Sequence, residues 1–324
     1  MTAPEQPAGT LSEVGEFALI DQLTADLETS DAVRLGPGDD AAVITPDGDL
    51  AVSTDTMVAG VHFKTDWSLP HEVGQRAVAG ALADLEAMGA RPVALVVAFT
   101  APGDLAANWA KQCVQGMRLE AARGRCVLVG GDVTSGRDVT ITVTVLGDLQ
   151  GRPPVTRAGA RPGQLLALRG RVGWSAAGLA VLRRGFRSPR AVVDAYKVPE
   201  VPYGQGVVAA DAGASAMIDV SDGLLADLGH IARASGVRLA VDRADLEVPE
   251  AIQAVAAATG ADPWTFLLTG GEDHALAAAF DEGAVPEGWR VIGRVEAVAD
   301  VDEPGVLVDG TPWDGEAGWD HYRR

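Results

Sequence analysis

Between Val73 and Phe99 the chain changes its hydrophobic period, and that change narrows the possible folds more than any other feature. Val73, Ala77, Ala81, Leu85 and Met88 recur at helical spacing, Gly89 stops the run, and residues 93–99 form a continuous apolar stretch of strand length. An amphipathic helix feeding a buried strand calls for helices packed on a sheet. Similar patterning predicts helices over 15–27 and 104–123 and strands over 41–45, 50–54, 126–129 and 139–146, the first two strands paired around Pro46-Asp47-Gly48-Asp49. A polar, turn-rich stretch at 150–154 then precedes strands over 165–168, 216–220, 237–241, 274–280 and 290–295 and helices over 175–184, 224–234 and 249–259. A length of 324 residues suits two domains, placed at 1–149 and 150–324. Gly (39 residues) is abundant and aromatics are only 5%, which favours close helix-on-sheet packing over a β-sandwich. The expected class is α/β (α+β), with two mixed α/β domains.

Charge removes several functions. The net charge is −19, so binding of nucleic acid or of an anionic membrane surface, which needs clustered Lys and Arg, is not expected. Two cysteines, Cys113 and Cys126, make neither a disulfide scaffold nor a Cys-based zinc site. The longest apolar run, 93–99, is too short to span a bilayer, and the polar start with its two prolines is unlike a signal peptide. A soluble, cytoplasmic protein is expected.

The aspartates carry the chemistry. Asp39 and Asp40 close a Gly-Pro-Gly loop, Asp55 is expected to end a strand as Ser53-Thr54-Asp55-Thr56, and Asp132 to follow a strand in Gly130-Gly131-Asp132. Asp219 and Asp222 flank the end of another strand, and Asp84 sits inside the otherwise apolar helix. Singly, each is an ordinary turn or cap residue. Together, carboxylates beside Ser and Thr hydroxyls form the hard oxygen set that Mg²⁺ takes with water and phosphates, whereas converging carboxylates without cations would repel one another. No P-loop and no protein-kinase signature occurs, and Lys64, Lys111 and Lys197 are the only lysines. Phosphates would have to be handled by Mg²⁺, backbone N–H groups and a few arginines.

Six segments resemble, in order, the thiamine-monophosphate kinase family: Leu35-Gly36-Pro37-Gly38-Asp39-Asp40, Ser53-Thr54-Asp55-Thr56 running on to Gly60-Val61-His62-Phe63, Leu82-Ala83-Asp84-Leu85-Glu86-Ala87-Met88-Gly89, Gly130-Gly131-Asp132, Asp219-Val220-Ser221-Asp222-Gly223 and Gly270-Gly271-Glu272-Asp273. The resemblance implies ATP as co-substrate, thiamine monophosphate as acceptor and several Mg²⁺ ions. It implies a homodimer whose N-terminal sheets pair into a barrel, with nucleotide and metals in a cleft closed by the C-terminal domain. It assigns Asp40, Ser53, Thr54, Asp55, Asp84, Asp132, Asp219 and Asp222 to the metals, and Gly131, Asp132, Arg157 and Ser221 to ATP. His62, Glu272 and Trp319 would hold thiamine monophosphate, and Asp55, Asp84 and Asp132 would carry catalysis. Two positions depart from the family: its helix tyrosine is replaced within Cys113-Val114-Gln115, and its basic stretch becomes Tyr196-Lys197-Val198-Pro199.

Such a site needs no general base. The acceptor is itself a phosphate with a second pKa of about 6, largely dianionic at neutral pH. Charge neutralisation and in-line positioning supply most of what phosphoryl transfer requires, so direct transfer without a phosphoenzyme is expected. Two alternatives remain open at this stage: another ATP-dependent synthetase of the same superfamily, such as an aminoimidazole ribonucleotide or selenophosphate synthetase, and a non-catalytic ATP·Mg-binding regulator.

Overall fold

The computed structural model describes residues 9–37, 41–299 and 303–319. The chain divides into two compact units, one drawn from the residues up to Leu82 with Pro92–Asp148, the other from Ala83–Arg91 with the residues from Leu149 onward.

The first unit opens with α1 (Leu11–Val14) and α2 (Glu16–Thr24). Thr10 and Glu13 form a reciprocal capping box, the Glu13 carboxylate accepting from the Thr10 N–H at 2.7 Å. β1 (Val33–Leu35), β2 (Val43–Ile44) and β3 (Leu50–Val58) follow, then α3 (Pro70–Ala87), β4 (Arg91–Ala101), α4 (Ala107–Arg123), β5 (Val127–Ser135) and β6 (Thr140–Asp148). The main sheet has the order β3-β6-β4-β5. β3 runs antiparallel to β6 with Asp55 opposite Val143, and β4 runs parallel to β5 with a register shift between Leu95 and Val97.

The expected pairing of 41–45 with 50–54 is not what forms. β2 pairs with β1, and β3 pairs along its length with β6. The reason lies at Asp148, a fully buried carboxylate that accepts from the N–H groups of Asp47 (2.9 Å) and Gly48 (3.0 Å). The supposed hairpin turn is thereby tied to the end of β6, while Val33, Ala42 and Ile44 pack on Val93, Ala94 and Val129. α3 and α4 touch backbone to backbone. A Cβ on Gly74 would stand 2.0 Å from the Cys113 carbonyl, and one on Gly116 would stand 1.9 Å from the His71 carbonyl.

The second unit takes the last turn of α3 and then β7 (Leu165–Arg169), α5 (Trp174–Arg183), α6 (Arg190–Lys197), α7 (Gln205–Asp211), β8 (Ala216–Val220) and α8 (Leu224–Ser235). β9 (Arg238–Val241), α9 (Glu250–Thr259), α10 (Pro263–Thr269), β10 (Ala275–Phe280), β11 (Arg290–Glu296), β12 (Gly305–Val308) and β13 (Thr311–Pro312) complete it. Its seven strands lie in the order β13-β12-β9-β11-β7-β10-β8, with only β12 and β9 pairing in parallel. β8 and β10 are buried throughout, and α8 packs on β8, β9 and β12. Met217, Leu276, Phe280 and Trp289 form the core with Ala87 from α3; the Phe280 and Trp289 rings meet edge to face at 5.3 Å. The fold is therefore mixed α/β in both units, as expected. α1, β1, α6, α7, α10, β12 and β13 are additions; α6 does carry an apolar face, with Val192, Val193 and Tyr196 buried, and the others are too short to show a period.

Candidate active site

In the first unit, the alternation of a strand places Ser53 and Asp55 on one face of β3 and Thr54 on the other. Thr54 meets Thr144 of β6, hydroxyl to hydroxyl, at 2.9 Å. Asp55 is exposed, and its carboxylate accepts from the Thr56 N–H at 2.7 Å. Beyond β3 the chain turns at Gly60 (φ +82°) and is anchored by the buried Phe63. This turn holds His62: its Nδ1 accepts from the Val58 N–H at 3.0 Å, which leaves Nε2 to carry the ring proton.

Gly130, Gly131 and Asp132 lie on β5 where its register against β4 shifts. A Cβ on Gly131 would stand 2.0 Å from the Val97 carbonyl, so only glycine fits there. These three residues rim an apolar pocket of about 60 Å³ walled by Ile20, Leu23, Val97, Phe99, Val114 and Met117. Asp132 and Gly131 are exposed at its mouth. Asp84 is half-buried on α3 between neighbours that are fully buried, the position its sequence context suggested. Asp40 lies outside the described residues.

The second unit gathers more of the expected residues. The N–H of Glu272 donates to the Ser221 carbonyl at 2.7 Å, and the N–H of Trp319 donates to the Asp222 carbonyl at 2.9 Å. Three separate segments, 219–223, 270–274 and 317–319, therefore meet. Glycines make the meeting possible: a Cβ on Gly271 would stand 2.2 Å from the Ser221 carbonyl, and one on Gly318 would stand 2.5 Å from the Asp222 carbonyl. Glu272 (φ +69°) and His274 (φ +53°) both occupy the left-handed region, a conformation that the surrounding bonds must enforce. Ser175 enforces it from the start of α5, donating from its hydroxyl to the Glu272 carbonyl (2.8 Å) and from its N–H to the Asp273 carboxylate (2.9 Å). Trp319 is 55% exposed. Arg157 is exposed on the loop after Val155.

Three residues of this site were given no role by the sequence reading, although Asp273 stands in the Gly270-Gly271-Glu272-Asp273 segment. His274 is buried, and its Nδ1 lies 3.2 Å from the Asp219 carboxylate, so the ring donates to that oxygen. Asp227 accepts from the N–H groups of Asp222 (3.0 Å) and Gly223 (3.1 Å), fixing that loop. Its pKa is pushed up to about 7, first by burial and then by the negative charge of Asp219, with Asp222 adding to it. Asp273 is buried at the start of α5, and burial pushes its pKa up to about 6. The only available signal was an Asp spaced one helical turn after Ser221-Asp222-Gly223, which is the ordinary pattern of a helix start. Among the described residues, no group of three or more His, Cys, Asp or Glu stands close enough to hold a metal ion.

Residues 38–149 match the family described as AIR synthase related protein, N-terminal domain, and residues 161–303 match its C-terminal domain. A mixed α/β chain carrying both domains in this order is a protein of the AIR synthase related class. The thiamine-monophosphate kinase of Mycobacterium tuberculosis (strain H37Rv) is 50% identical over 323 residues, covering 99% of this chain and 95% of the relative. The crystal structure of thiamine-monophosphate kinase from Stenotrophomonas maltophilia K279a matches with a TM-score of 0.78 at 29% identity, over 90% of this chain and 95% of that one. AaThiL complexed with AMPPCP and TMP matches with a TM-score of 0.77 at 29% identity, over 96% and 98%. The chain belongs to the thiamine-monophosphate kinase family.

Proposed function

We propose that this protein transfers the γ-phosphoryl group of ATP to thiamine monophosphate, giving thiamine diphosphate and ADP. The observation that carries the reading is the junction of 219–223, 270–274 and 317–319. Backbone hydrogen bonds join Glu272 to Ser221 and Trp319 to Asp222 there, which supports reading Ser221 as an ATP contact, Asp222 as a metal ligand, and Glu272 and Trp319 as acceptor contacts. The relative bound to AMPPCP and TMP supports the substrate pair.

The donor set fits Mg²⁺ in its chemistry. Asp219 and Asp222 crowd Asp227 closely enough to raise its proton affinity, a repulsion that a divalent cation relieves. Asp219 and Asp222 would hold metal in the second unit, and Ser53, Thr54, Asp55 and Asp132 in the first, with Asp40 and Asp84 completing the set. Bound Mg²⁺ neutralises charge on the transferred phosphoryl group and its two oxygen partners. Gly131 lets the β5 backbone present its N–H groups beside the apolar pocket, and that pocket takes the nucleobase. Arg157 and Ser221 orient the phosphates; His62 donates from Nε2 to the acceptor; Trp319 stacks on a thiamine ring. No side chain need remove a proton, because the acceptor oxygen is already anionic.

The protein acts as a cytoplasmic homodimer. The edge strand β3 exposes Leu50 (40%) and Val52 (61%), apolar residues suited to pairing with the same strand of a second copy in a barrel. The deciding assay is ADP release from Mg·ATP with thiamine monophosphate or thiamine as acceptor. Turnover is expected with the phosphate only, and equal turnover of thiamine overturns the reading.

A further inference from the structure

We propose that His230 and Arg233, on the solvent side of α8, complete with Arg157 an anion site that takes a phosphate group of the nucleotide. The inference rests on the function proposed above and extends it to two residues that no motif singled out.

The loop bearing Arg157 is tied to the end of α8 by one side chain. The Ser235 hydroxyl donates to the Arg157 carbonyl and accepts from the N–H groups of Gly159 and Ala160, each at 3.1 Å. Two residues before Ser235, Arg233 folds back along the helix over Gly229, where a Cβ would stand 3.1 Å from its guanidinium. Arg233 Nη2 reaches His230 Nδ1 at 3.3 Å. A guanidinium only donates, so Nδ1 accepts, and the neutral ring presents its remaining N–H at Nε2. Burial lowers the proton affinity of His230, and the charges of Arg157 and Arg233 lower it further against the opposing charge of Asp222. Those four residues therefore share one neighbourhood.

The pairing of charges is what points to a ligand. The chain has 45 acidic residues against 26 basic ones. Yet among the described residues neither Arg157 nor Arg233 forms an ion pair with a carboxylate; Arg233 bonds His230 instead. Two guanidinium groups with no carboxylate partner among the described residues, beside an N–H donor and in a chain with acid to spare, repel one another until an anion joins them. Guanidinium forks and an imidazole N–H match the three oxygens of a phosphate group. Asp222 stands beside them, so the phosphate would lie between the arginines and a metal-binding carboxylate.

The full-length protein provides the test, by calorimetric titration with Mg·ATP and by steady-state rates with thiamine monophosphate. Arg233→Ala and His230→Ala are each expected to weaken Mg·ATP binding at least tenfold and to raise KM for ATP more than they lower kcat. Arg233→Lys and His230→Asn, which keep the charge and the paired acceptor and donor, should recover most of the affinity. Melting temperatures should not move, because both side chains are exposed. Unchanged Mg·ATP affinity in folded alanine variants overturns the site, as does equal loss in the conservative variants. If the wild type binds Mg·ATP without phosphorylating thiamine monophosphate, the function falls, and the binding comparison still decides the site.

Discussion

At Gly131 the space available is a single hydrogen atom. Gly131→Ala drives a methyl group into the Val97 carbonyl, 2.0 Å away, and forces β4 and β5 apart where the apolar pocket opens. A loss of about 1–3 kcal/mol is expected from overpacking against backbone, read as a lower urea midpoint. Asp55 is the opposite case. It is exposed and, among the described residues, bonds only its neighbour's N–H, so Asp55→Asn should leave the melting temperature within a degree or two while turnover falls by about a thousandfold. Near-normal turnover at saturating Mg²⁺ would remove Asp55 from the chemistry. Asp273 gives a pH signature. Its pKa is pushed from the ordinary range near 4 up to about 6, by burial first, and one carboxylate oxygen has no hydrogen-bond partner among the described residues. Folding thus favours its protonated form: its contribution is fully present below about pH 4 and is lost as pH rises through about 6. Asp273→Asn escapes that penalty while still accepting from the Ser175 N–H. It should be more stable than the wild type at pH 8, by up to about 3 kcal/mol, and the advantage should vanish at pH 4. A gap independent of pH would show that the carboxyl does not titrate there.

Elements show why part of the fold was legible and part was not. α3, α4 and α8 carry enough turns for an apolar face to declare itself, and β8 and β10 read as continuous apolar runs because both faces are buried. α7 has seven residues, and what holds its start lies 118 and 120 positions away: the Glu86 carboxylate accepts from the N–H groups of Gly204 and Gly206, each at 2.7 Å. No local pattern could show that cap. Glu86 is 1% exposed, and burial raises its pKa. Glu86→Ala strips two donors, one of them the buried Gly206 N–H, of their acceptor and should cost about 2–4 kcal/mol. Glu86→Gln, which keeps one acceptor oxygen, should cost less. Denaturant unfolding separates the two, and equal losses would mean that the side chain matters only for its volume. The β2–β3 expectation failed for a related reason. A Pro-Asp-Gly-Asp turn between two apolar runs is a good hairpin signal, but the buried Asp148 carboxylate claims the turn's N–H groups for β6.

For the whole molecule, charge is decisive. With a net charge of −19 and phosphate-handling groups that are mostly carboxylates, metal-free ATP should be repelled. One like-charge pair about 4 Å apart costs roughly 4 kcal/mol at an effective dielectric near 20, and several such pairs outweigh what backbone N–H groups and a few arginines return. Calorimetry of ATP with excess chelator should show no binding, with affinity recovering steeply as Mg²⁺ is added and with more than one metal per nucleotide. Tight binding in chelator would remove the metal-cradle reading.

The residues alone determine the class of fold, because hydrophobic period and glycine stops are local properties. They also single out candidate ligands, the aspartates beside Ser, Thr or Gly, although the expectation that Asp55 ends a strand and Asp132 follows one is not met: β3 runs on to Val58 and β5 on to Ser135, so both lie within strands. Tertiary structure decides everything that depends on contacts between distant segments. The Glu272–Ser221 and Trp319–Asp222 junctions, the cap on α7, the pairing of β3 with β6, and the donation from His274 to Asp219 each join residues tens of positions apart. Hydrogen bonds and burial act through space, and a chain read in order shows which groups need partners but not which partners reach them.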